Sequence, residues 1–163
     1  MSLDGFIARE NGSLDWMFSV ESEGDVGYSE FYATTDTMLM GKSTYEHVLS
    51  MVDTFPHSDR ICYIFSRTEN RPDPYVTYIN SDPVAFTREL KAQEGKDIWL
   101  VGGSELADGI IKAKLVDEWI VTIVPIVLGR GIPLFKTNNP ETELTLLRTT
   151  QYGQFAQLHY VTK

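Results

Sequence analysis

Two segments of the chain combine glycine, hydroxylated residues and a charged side chain directly after an apolar run of strand length. The first is Gly41, Lys42, Ser43 and Thr44 after Thr37–Met40, and the second is Gly102, Gly103, Ser104 and Glu105 after Ile98–Val101. Helical spacing follows both, so each segment predicts a helix N-terminus at the carboxyl end of a strand. The free backbone N–H groups at such an end attract phosphate. The pair therefore predicts a ligand with several phosphate groups, and a dinucleotide is the first candidate.

The first segment has a defined role for each residue in such a site. Gly41 lets the backbone approach the ligand, Lys42 supplies a point charge, and the hydroxyls of Ser43 and Thr44 cap the helix and face phosphate. The alternative is a plain helix cap with a solvated lysine. A P-loop is excluded because Asp36 replaces the first glycine of that motif, and the GxGxxG fingerprint of an ordinary Rossmann domain is absent.

The second segment joins a strand to a helix through two adjacent glycines. This pattern indicates a backbone conformation that side chains forbid, or a ligand pressed against the main chain. Ser104 and Glu105 then begin the helix, with their N–H groups directed at phosphate. A tight turn without a ligand is the alternative for Gly102 and Gly103.

Composition narrows the class of protein. The formal net charge of -9 disfavours nucleic acid and anionic membranes as partners, so phosphate binding must be local. Cys62 is the only cysteine and lies in an apolar run, which predicts a buried, inert thiol and fits a reducing cytoplasm. The histidines, His47, His57 and His159, have no ligand spacing, so no metal site is expected.

Alternating helical and strand patterns predict an α/β fold, with one domain over residues 1–163 because no linker divides the chain. Helical spacing covers Val26–Thr35, Ser43–Val52, Val84–Glu94 and Glu105–Lys114. Strands are predicted at Thr37–Met40, Ile61–Phe65, Tyr75–Ile79, Ile98–Val101 and Glu118–Leu128, and a closing hairpin at Leu144–Gln151 and Gln154–Thr162. The order of elements indicates a mainly parallel sheet with an antiparallel end.

Six segments of the chain resemble, in the same order, those of dihydrofolate-reductase-like proteins. They are Ser2–Ala8, Leu14–Trp16, Met40–Glu46, Phe65–Arg67, Val101–Ser104 and Pro125–Phe135. The Ser-Leu-Asp-Gly opening is most similar to the branch that contains the pyrimidine reductase domain of bacterial riboflavin biosynthesis and its stand-alone relatives. The resemblance implies an NADPH-dependent reductase with a three-layer sandwich fold, in which helices cover both faces of a mainly parallel mixed sheet.

The resemblance also implies where the cofactor binds. Ser66 and Arg67 would receive the 2'-phosphate of adenosine, for which the planar fork of arginine is suited. Gly102 and Gly103 would lie against the pyrophosphate and the nicotinamide ribose, with a cis peptide bond between them. The alternative for Arg67 is an arginine in a surface turn.

Substrate residues are implied less directly. Asp25 stands where dihydrofolate reductases have their folate-binding carboxylate, which makes it the candidate catalytic proton source, although capping a helix is an equally good explanation. Trp16 and Phe31 could wall a flat heterocycle, or could belong to the core. Asp4 is expected to fix a turn.

The predicted function is therefore NADPH-dependent reduction of a small pteridine or pyrimidine heterocycle or a related carbonyl compound. One candidate activity is 5-amino-6-(5-phosphoribosylamino)uracil reductase. The pyrimidine reductase domains with this activity usually carry an Asp-Asp-Pro-x-Leu-x-x-Arg stretch, which residues 51–60 match only loosely. The alternative is a non-catalytic NADP-binding or sensing protein.

Two expectations concern the edges of the fold. A homodimer is expected, formed through apolar residues of the closing hairpin, namely Tyr152, Phe155, Leu158 and Tyr160. Relatives also carry a full apolar strand before Ser-Leu-Asp-Gly, whereas only Met1 precedes Ser2 here. Either the chain starts downstream of the natural start or the sheet has a lost or shortened central strand.

Overall fold

The computed structural model describes residues 1–68 and 72–163 as two compact units. The first unit, Met1–Ser29 with Val116–Lys163, is called the antiparallel unit, and the second, Glu30–Leu115, is called the parallel unit. The division into two compact units does not test the prediction of one domain over residues 1–163, which stays a prediction. None of the described helices has the length and apolar character that crossing a bilayer requires.

The elements follow one another in an alternating order with strands at the end. They are β1 (Phe6–Ala8), α1 (Asp15–Phe18), α2 (Tyr28–Thr34), β2 (Thr35–Gly41), α3 (Lys42–Met51), β3 (Ile61–Phe65), β4 (Thr77–Ile79), α4 (Pro83–Lys91), β5 (Asp97–Gly102), α5 (Ser104–Lys112), β6 (Glu118–Ile123), β7 (Ile132–Pro133), β8 (Leu144–Tyr152) and β9 (Phe155–Thr162). The predicted helices and the longer strands are confirmed to within a few residues.

The parallel unit contains a four-stranded parallel sheet in the order β4-β3-β2-β5. Gly41 at the end of β2 lies opposite Phe65 at the end of β3. On the other side of β2, Met40 lies opposite Gly102 at the end of β5. The carboxyl ends of three neighbouring strands therefore meet at one edge of this sheet, and the segments that the sequence predicted to bind phosphate follow these ends.

Helices cover both faces of the parallel sheet. Tyr45 of α3 packs into a buried cluster with Met38, Met40, Phe55, Cys62 and Ile64. The ring centroid of Phe86 in α4 lies 4.9 Å from that of Tyr63 and 5.6 Å from that of Phe65. Successive side chains of a strand point to opposite faces, so α3 and α4 lie on opposite faces of β3. Helix α5 packs against α4, and the unit thus has the predicted three layers.

The antiparallel unit contains a three-stranded sheet, β6-β9-β8, and the short pair β1-β7. Its buried cluster is formed by Trp16, Val124 and Phe155. Strand β6 ends at Ile123 and not at Leu128 as predicted, which agrees with the missing N–H donor of Pro125. Residues 1–3 run beside residues 122–126, with Val124 N donating to Met1 O at 2.8 Å and a parallel bridge at Ser2.

The closing hairpin, β8 and β9, was predicted correctly, but its apolar residues are distributed differently from the expected interface. Phe155 is 7% exposed and belongs to the buried cluster, and Tyr152 packs against that cluster. The most exposed apolar residues of the hairpin are Leu147, at 55%, and Leu146, at 52%. Leu146 pairs across the sheet with Tyr160, which in turn pairs with Trp119.

Candidate functional site

The candidate site is the edge of the parallel unit where β3, β2 and β5 end. Helix α3 begins at the residue after Gly41 and leaves on one face of the sheet, while α5 begins after Gly103 and packs with α4 on the other face. In open α/β sheets, ligands bind outside the carboxyl ends of the strands where neighbouring connections diverge to opposite faces. The gap between the ends of β2 and β5 is such a point.

The start of α3 has the properties of an anion site. Gly41 is its N-cap, and no side-chain cap is recorded for this end among the described residues. Lys42 occupies the first helical position, where a cation is disfavoured by the positive end of the helix dipole. Its ammonium donates to Thr68 Oγ1 at 3.2 Å and lies 3.9 Å from a carboxylate oxygen of Glu46. Positive charge at a positive helix end is favourable when an anion binds there.

The start of α5 depends on the two glycines. Gly102 has a φ of 128°, which L-residues with a side chain rarely adopt. The implied cis peptide bond between Gly102 and Gly103 is wrong, since no described peptide bond is cis. A trans bond is the ordinary form of a peptide between residues other than proline, and the turn here is made with unusual φ values at Gly102 and Gly103. These dihedral angles, not a cis bond, are the backbone features that mark this turn.

The two helix starts are joined by a hydrogen bond. Gly103 N donates to Thr44 Oγ1 at 2.9 Å, across 59 residues of sequence. The ideal Cβ of an alanine at position 41 would lie 3.7 Å from Gly102 O, in ordinary contact, which shows how near the two turns are. Thr44 was predicted to face phosphate, and the structure gives its hydroxyl oxygen a structural partner. Ser43, the other predicted hydroxyl, is exposed.

The end of β3 carries the predicted adenosine site. Ser66 is 8% exposed, and its hydroxyl donates to Thr68 O at 3.0 Å and accepts from Thr68 N at 3.3 Å. The side chain of Ser66 therefore shapes the turn, whereas that of Arg67 is exposed beside it. The hydrogen bond from Lys42 to Thr68 brings the predicted cation of α3 to this turn. Glu105, on α5, is also exposed, so its predicted contribution is its backbone N–H.

The predicted catalytic residue, Asp25, caps helix α2. Its carboxylate accepts from Ser29 N at 2.8 Å and from Gly27 N at 3.1 Å. Hydrogen bonds from the hydroxyl and backbone N–H of Ser29, with a smaller one from Gly27, lower the pKa of Asp25. A proton donor needs a raised pKa, so these contacts support the helix-cap explanation and give the catalytic role no support.

The two predicted substrate residues lie in different surroundings. Trp16 is 3% exposed, packed with Val124 and Phe155, and its indole N–H has no partner among the described residues. This burial favours the core explanation, so the prediction of a wall for the substrate is not supported at Trp16. Phe31 is half-buried and meets Trp99 edge-to-face, with ring centroids 5.1 Å apart.

Asp4 fixes a turn, as predicted. Its two carboxylate oxygens accept from Leu128 N at 3.1 Å and from Gly129 N at 2.7 Å, and Ser2 Oγ donates to one of them at 2.6 Å. The hydrogen bond from Ser2 and those from the two backbone N–H groups lower the pKa of Asp4. This aspartate therefore holds residues 128–129 and is unsuited to donating a proton.

Contacts of two residues near the site, Thr68 and Asp73, were not found from the sequence. Thr68 holds both Ser66 and Lys42, and the buried phenol of Tyr45 donates to Asp73 Oδ2 at 2.7 Å. The Ser-x-Thr spacing of Ser66 and Thr68 is a weak signal of a turn closed by a hydroxyl. The Tyr45–Asp73 contact has no local signal, because its partners are 28 residues apart.

The parallel sheet with helices on both faces and the antiparallel sheet define a mixed α/β protein, and sequence comparison specifies the family. The chain belongs to the family described as the RibD C-terminal domain, whose model matches residues 1–158. A relative in Bacillus subtilis (strain 168), the uncharacterized protein YwjB, is 49% identical over 162 residues, which cover 99% of this chain and 93% of YwjB. YyaP of the same organism, also uncharacterized, is 34% identical over 165 residues, covering 94% of this chain and 86% of YyaP.

Solved structures share the dihydrofolate-reductase-like architecture of this family. A Shewanella sp. PV-4 protein with a provisional riboflavin-biosynthesis name has a TM-score of 0.88 and 28% identity, over 100% of this chain and 95% of that one. The bifunctional pyrimidine deaminase and 5-amino-6-(5-phosphoribosylamino)uracil reductase of Thermotoga maritima has a TM-score of 0.68 and 14% identity. The match with the Thermotoga enzyme includes 99% of this chain and 54% of that enzyme. The predicted fold class is thus confirmed.

Proposed function

We propose that the protein is an NADPH-dependent reductase of a small pyrimidine or pteridine heterocycle. Membership of the RibD C-terminal domain family supports a reductase, and the name of the Thermotoga relative supplies the candidate substrate, 5-amino-6-(5-phosphoribosylamino)uracil. The observation that carries the proposal is the geometry at the start of α3. There a lysine occupies the first position of a helix for which no side-chain cap is found among the described residues. Hydrogen bonds join this first turn to the turn after β3 and to the turn before α5.

The residues at this edge fit a cofactor with separated phosphate groups. In a protein of net charge -9, Lys42 and Arg67 supply local positive charge next to the end of β3. The starts of α3 and α5 supply backbone N–H groups at the adjoining ends of β2 and β5, since the first N–H groups of a helix have no intrahelical acceptor. We assign the 2'-phosphate to Ser66, Arg67 and Lys42, and the pyrophosphate to the two helix starts.

Bound NADPH would supply a hydride to the substrate. The residues of this chain bind and orient the cofactor: Arg67 offers a bidentate fork to a dianion, and Gly41 and Gly102 keep the main chain free of side chains. The proposal assigns no proton donor, because the contacts of Asp25 are those of a helix cap.

A second candidate is a protein that binds NADP without catalysis. The specific observation in its favour is that both carboxylate oxygens of Asp25, the acid that the sequence offered as proton source, accept hydrogen bonds from backbone N–H groups of its own turn. Such a protein would keep the phosphate-binding edge and lack turnover. The two candidates therefore agree on the cofactor and differ in activity.

The cofactor is tested by titrating NADPH and NADH against the wild type, Arg67→Ala and Arg88→Ala. Arg88 is an exposed arginine near the end of α4 and serves as the matched control. We expect roughly tenfold to hundredfold tighter binding of NADPH than of NADH, because charge-assisted bidentate bonds contribute on this scale. The preference should shrink in Arg67→Ala and persist in Arg88→Ala. Equal affinities of the wild type for both cofactors would refute the assignment.

Activity separates the two candidates. NADPH consumption is followed with the riboflavin pyrimidine intermediate, dihydropterins and simple carbonyl compounds. Turnover of the pyrimidine or a pterin supports the reductase. Tight NADPH binding without turnover of any of these compounds would favour the binding protein.

A further inference from the structure

The hydroxyl of Thr44 connects two parts of the edge that are remote in sequence. Thr44 lies in the first turn of α3, and its side-chain oxygen accepts from Gly103 N at 2.9 Å. Gly103 is the N-cap of α5, and its carbonyl accepts from Ala107 N at 3.0 Å to begin that helix. One side chain of α3 therefore holds the residue from which α5 starts.

The turn that Thr44 holds is formed by residues without side chains. Glycine has the largest conformational freedom of any residue, so two adjacent glycines fix the direction of their N–H groups poorly by themselves. Gly102 adopts a φ of 128°, and Gly103 has no side chain to cap α5. The bond from Gly103 N to Thr44 fixes the orientation of the peptide group between the two glycines.

This bond also decides which N–H groups can face a ligand. The N–H of Gly103 is occupied by Thr44, so donation to a ligand at this helix start would begin with the N–H of Ser104, the first residue of α5. The α-carbon of Gly103 also lies close to the hydroxyl oxygen of Thr44. A methyl group at position 103 would lie 3.3 Å from Thr44 Oγ1, which is tighter than most real contacts of that kind.

We propose that Thr44 is a positioning residue, whose hydroxyl orients the Gly102–Gly103 turn so that the start of α5 accepts the pyrophosphate of the cofactor. The inference rests on the proposed function for its ligand. It differs from the role expected from the sequence, in which Thr44 contacts phosphate itself. The hydroxyl acts through Gly103.

The test uses Thr44→Val, which keeps the shape and removes the acceptor, and Thr44→Ser, which keeps the hydroxyl. Thr87→Val is the matched control, since Thr87 Oγ1 donates to Pro83 O at 2.7 Å within α4, away from this edge. For each full-length variant, NADPH affinity, thermal stability without cofactor, and hydrogen exchange of the Gly103 amide by NMR are measured. Exchange reports the proposed bond directly and requires no ligand.

We expect Thr44→Val to expose the Gly103 amide to exchange and to weaken NADPH binding about tenfold, the size of one ordinary hydrogen bond. Thr44→Ser should retain the protection of this amide and most of the affinity. Thr87→Val should lower thermal stability with no change in affinity. In a double-mutant cycle with Gly103→Ala, the losses of affinity should be less than additive because both substitutions disturb the same turn.

Two results would overturn the inference while the proposed function stands. Unchanged NADPH affinity in Thr44→Val would show that the turn needs no such support. Weakened affinity with an unchanged exchange rate of the Gly103 amide would show that Thr44 acts on phosphate directly. If the wild type binds neither NADPH nor NADH, the proposed function fails first, and the inference falls with it.

Discussion

Replacement of Gly27 by alanine tests the geometry of the turn that presents Asp25 to α2. Gly27 has a φ of 74°, and an ideal Cβ there would lie 2.5 Å from the hydroxyl oxygen of Tyr152 and 3.2 Å from its Cζ. Real Cβ atoms essentially never approach another heavy atom within 3.0 Å, so something must move. Tyr152 packs against the cluster of Trp16, Val124 and Phe155, which hinders its displacement.

The expected cost has two parts that can be separated. An L-residue in the left-handed region costs about 1–2 kcal/mol, and overpacking adds about 1–3 kcal/mol. Gly24→Ala is the matched control for the first part, since Gly24 has a φ of 62° and nothing within 4 Å of its ideal Cβ. We therefore expect Gly27→Ala to lower the free energy of unfolding by about 2–5 kcal/mol and Gly24→Ala by about 1–2 kcal/mol.

The measurement is urea denaturation of both variants, with and without Tyr152→Phe. Removal of the hydroxyl relieves the shorter contact, so Gly27→Ala should cost less in the Tyr152→Phe background, while Gly24→Ala should cost the same in both. Equal costs of Gly27→Ala and Gly24→Ala, or no relief by Tyr152→Phe, would refute the reasoning.

Two further predictions concern alkaline stability and assembly. Burial raises the pKa of the Cys62 thiol from 9.0 to about 11 and also raises that of the Tyr45 phenol, so both groups favour the folded state while neutral. This contribution to the stability of the folded state is complete below about pH 9 and is lost as the pH rises toward the folded pKa values. Thermal melts at increasing pH should show the loss as a falling melting temperature. The melting temperature of Cys62→Ala should fall less steeply with pH than that of the wild type. We also propose a homodimer through the face of the β6-β9-β8 sheet that carries Leu146, because this residue is 52% exposed on an edge strand. Sedimentation should give twice 18.5 kDa for the wild type and 18.5 kDa for Leu146→Glu. The control Thr145→Glu, on the opposite face of the strand, should remain a dimer. A monomeric wild type would contradict the proposal.

Local patterns predicted the long elements of the fold well. The apolar run Ile61–Phe65 is a strand with the predicted bounds, and Asp82 caps α4 by accepting from Ala85 N at 2.7 Å. Short elements could not be predicted in this way. Strands β1 and β7 have three and two residues, too few for periodicity, and form because they pair with each other.

At the candidate site, the sequence predicted which segments meet but not how their side chains are used. Adjacent strand ends follow from parallel pairing, so Gly41 and Gly102 could be placed together. The partner of Thr44 could not be predicted, because a hydroxyl can serve a ligand or a distant N–H equally well. Burial of Trp16 likewise depends on Val124 and Phe155, more than a hundred residues away in sequence.

The first turn of α3 contacts its neighbours through three side chains, and this limits how the chain can change in length. Lys42 bonds to Thr68, Thr44 to Gly103 and Tyr45 to Asp73. Successive residues of a helix are rotated by about 100°, so a shift of α3 by one residue would remove all three side chains from their partners together. Insertions and deletions in homologues are therefore expected to avoid residues 41–45 and to accumulate at the exposed far end of the helix, around Ser50 and Met51.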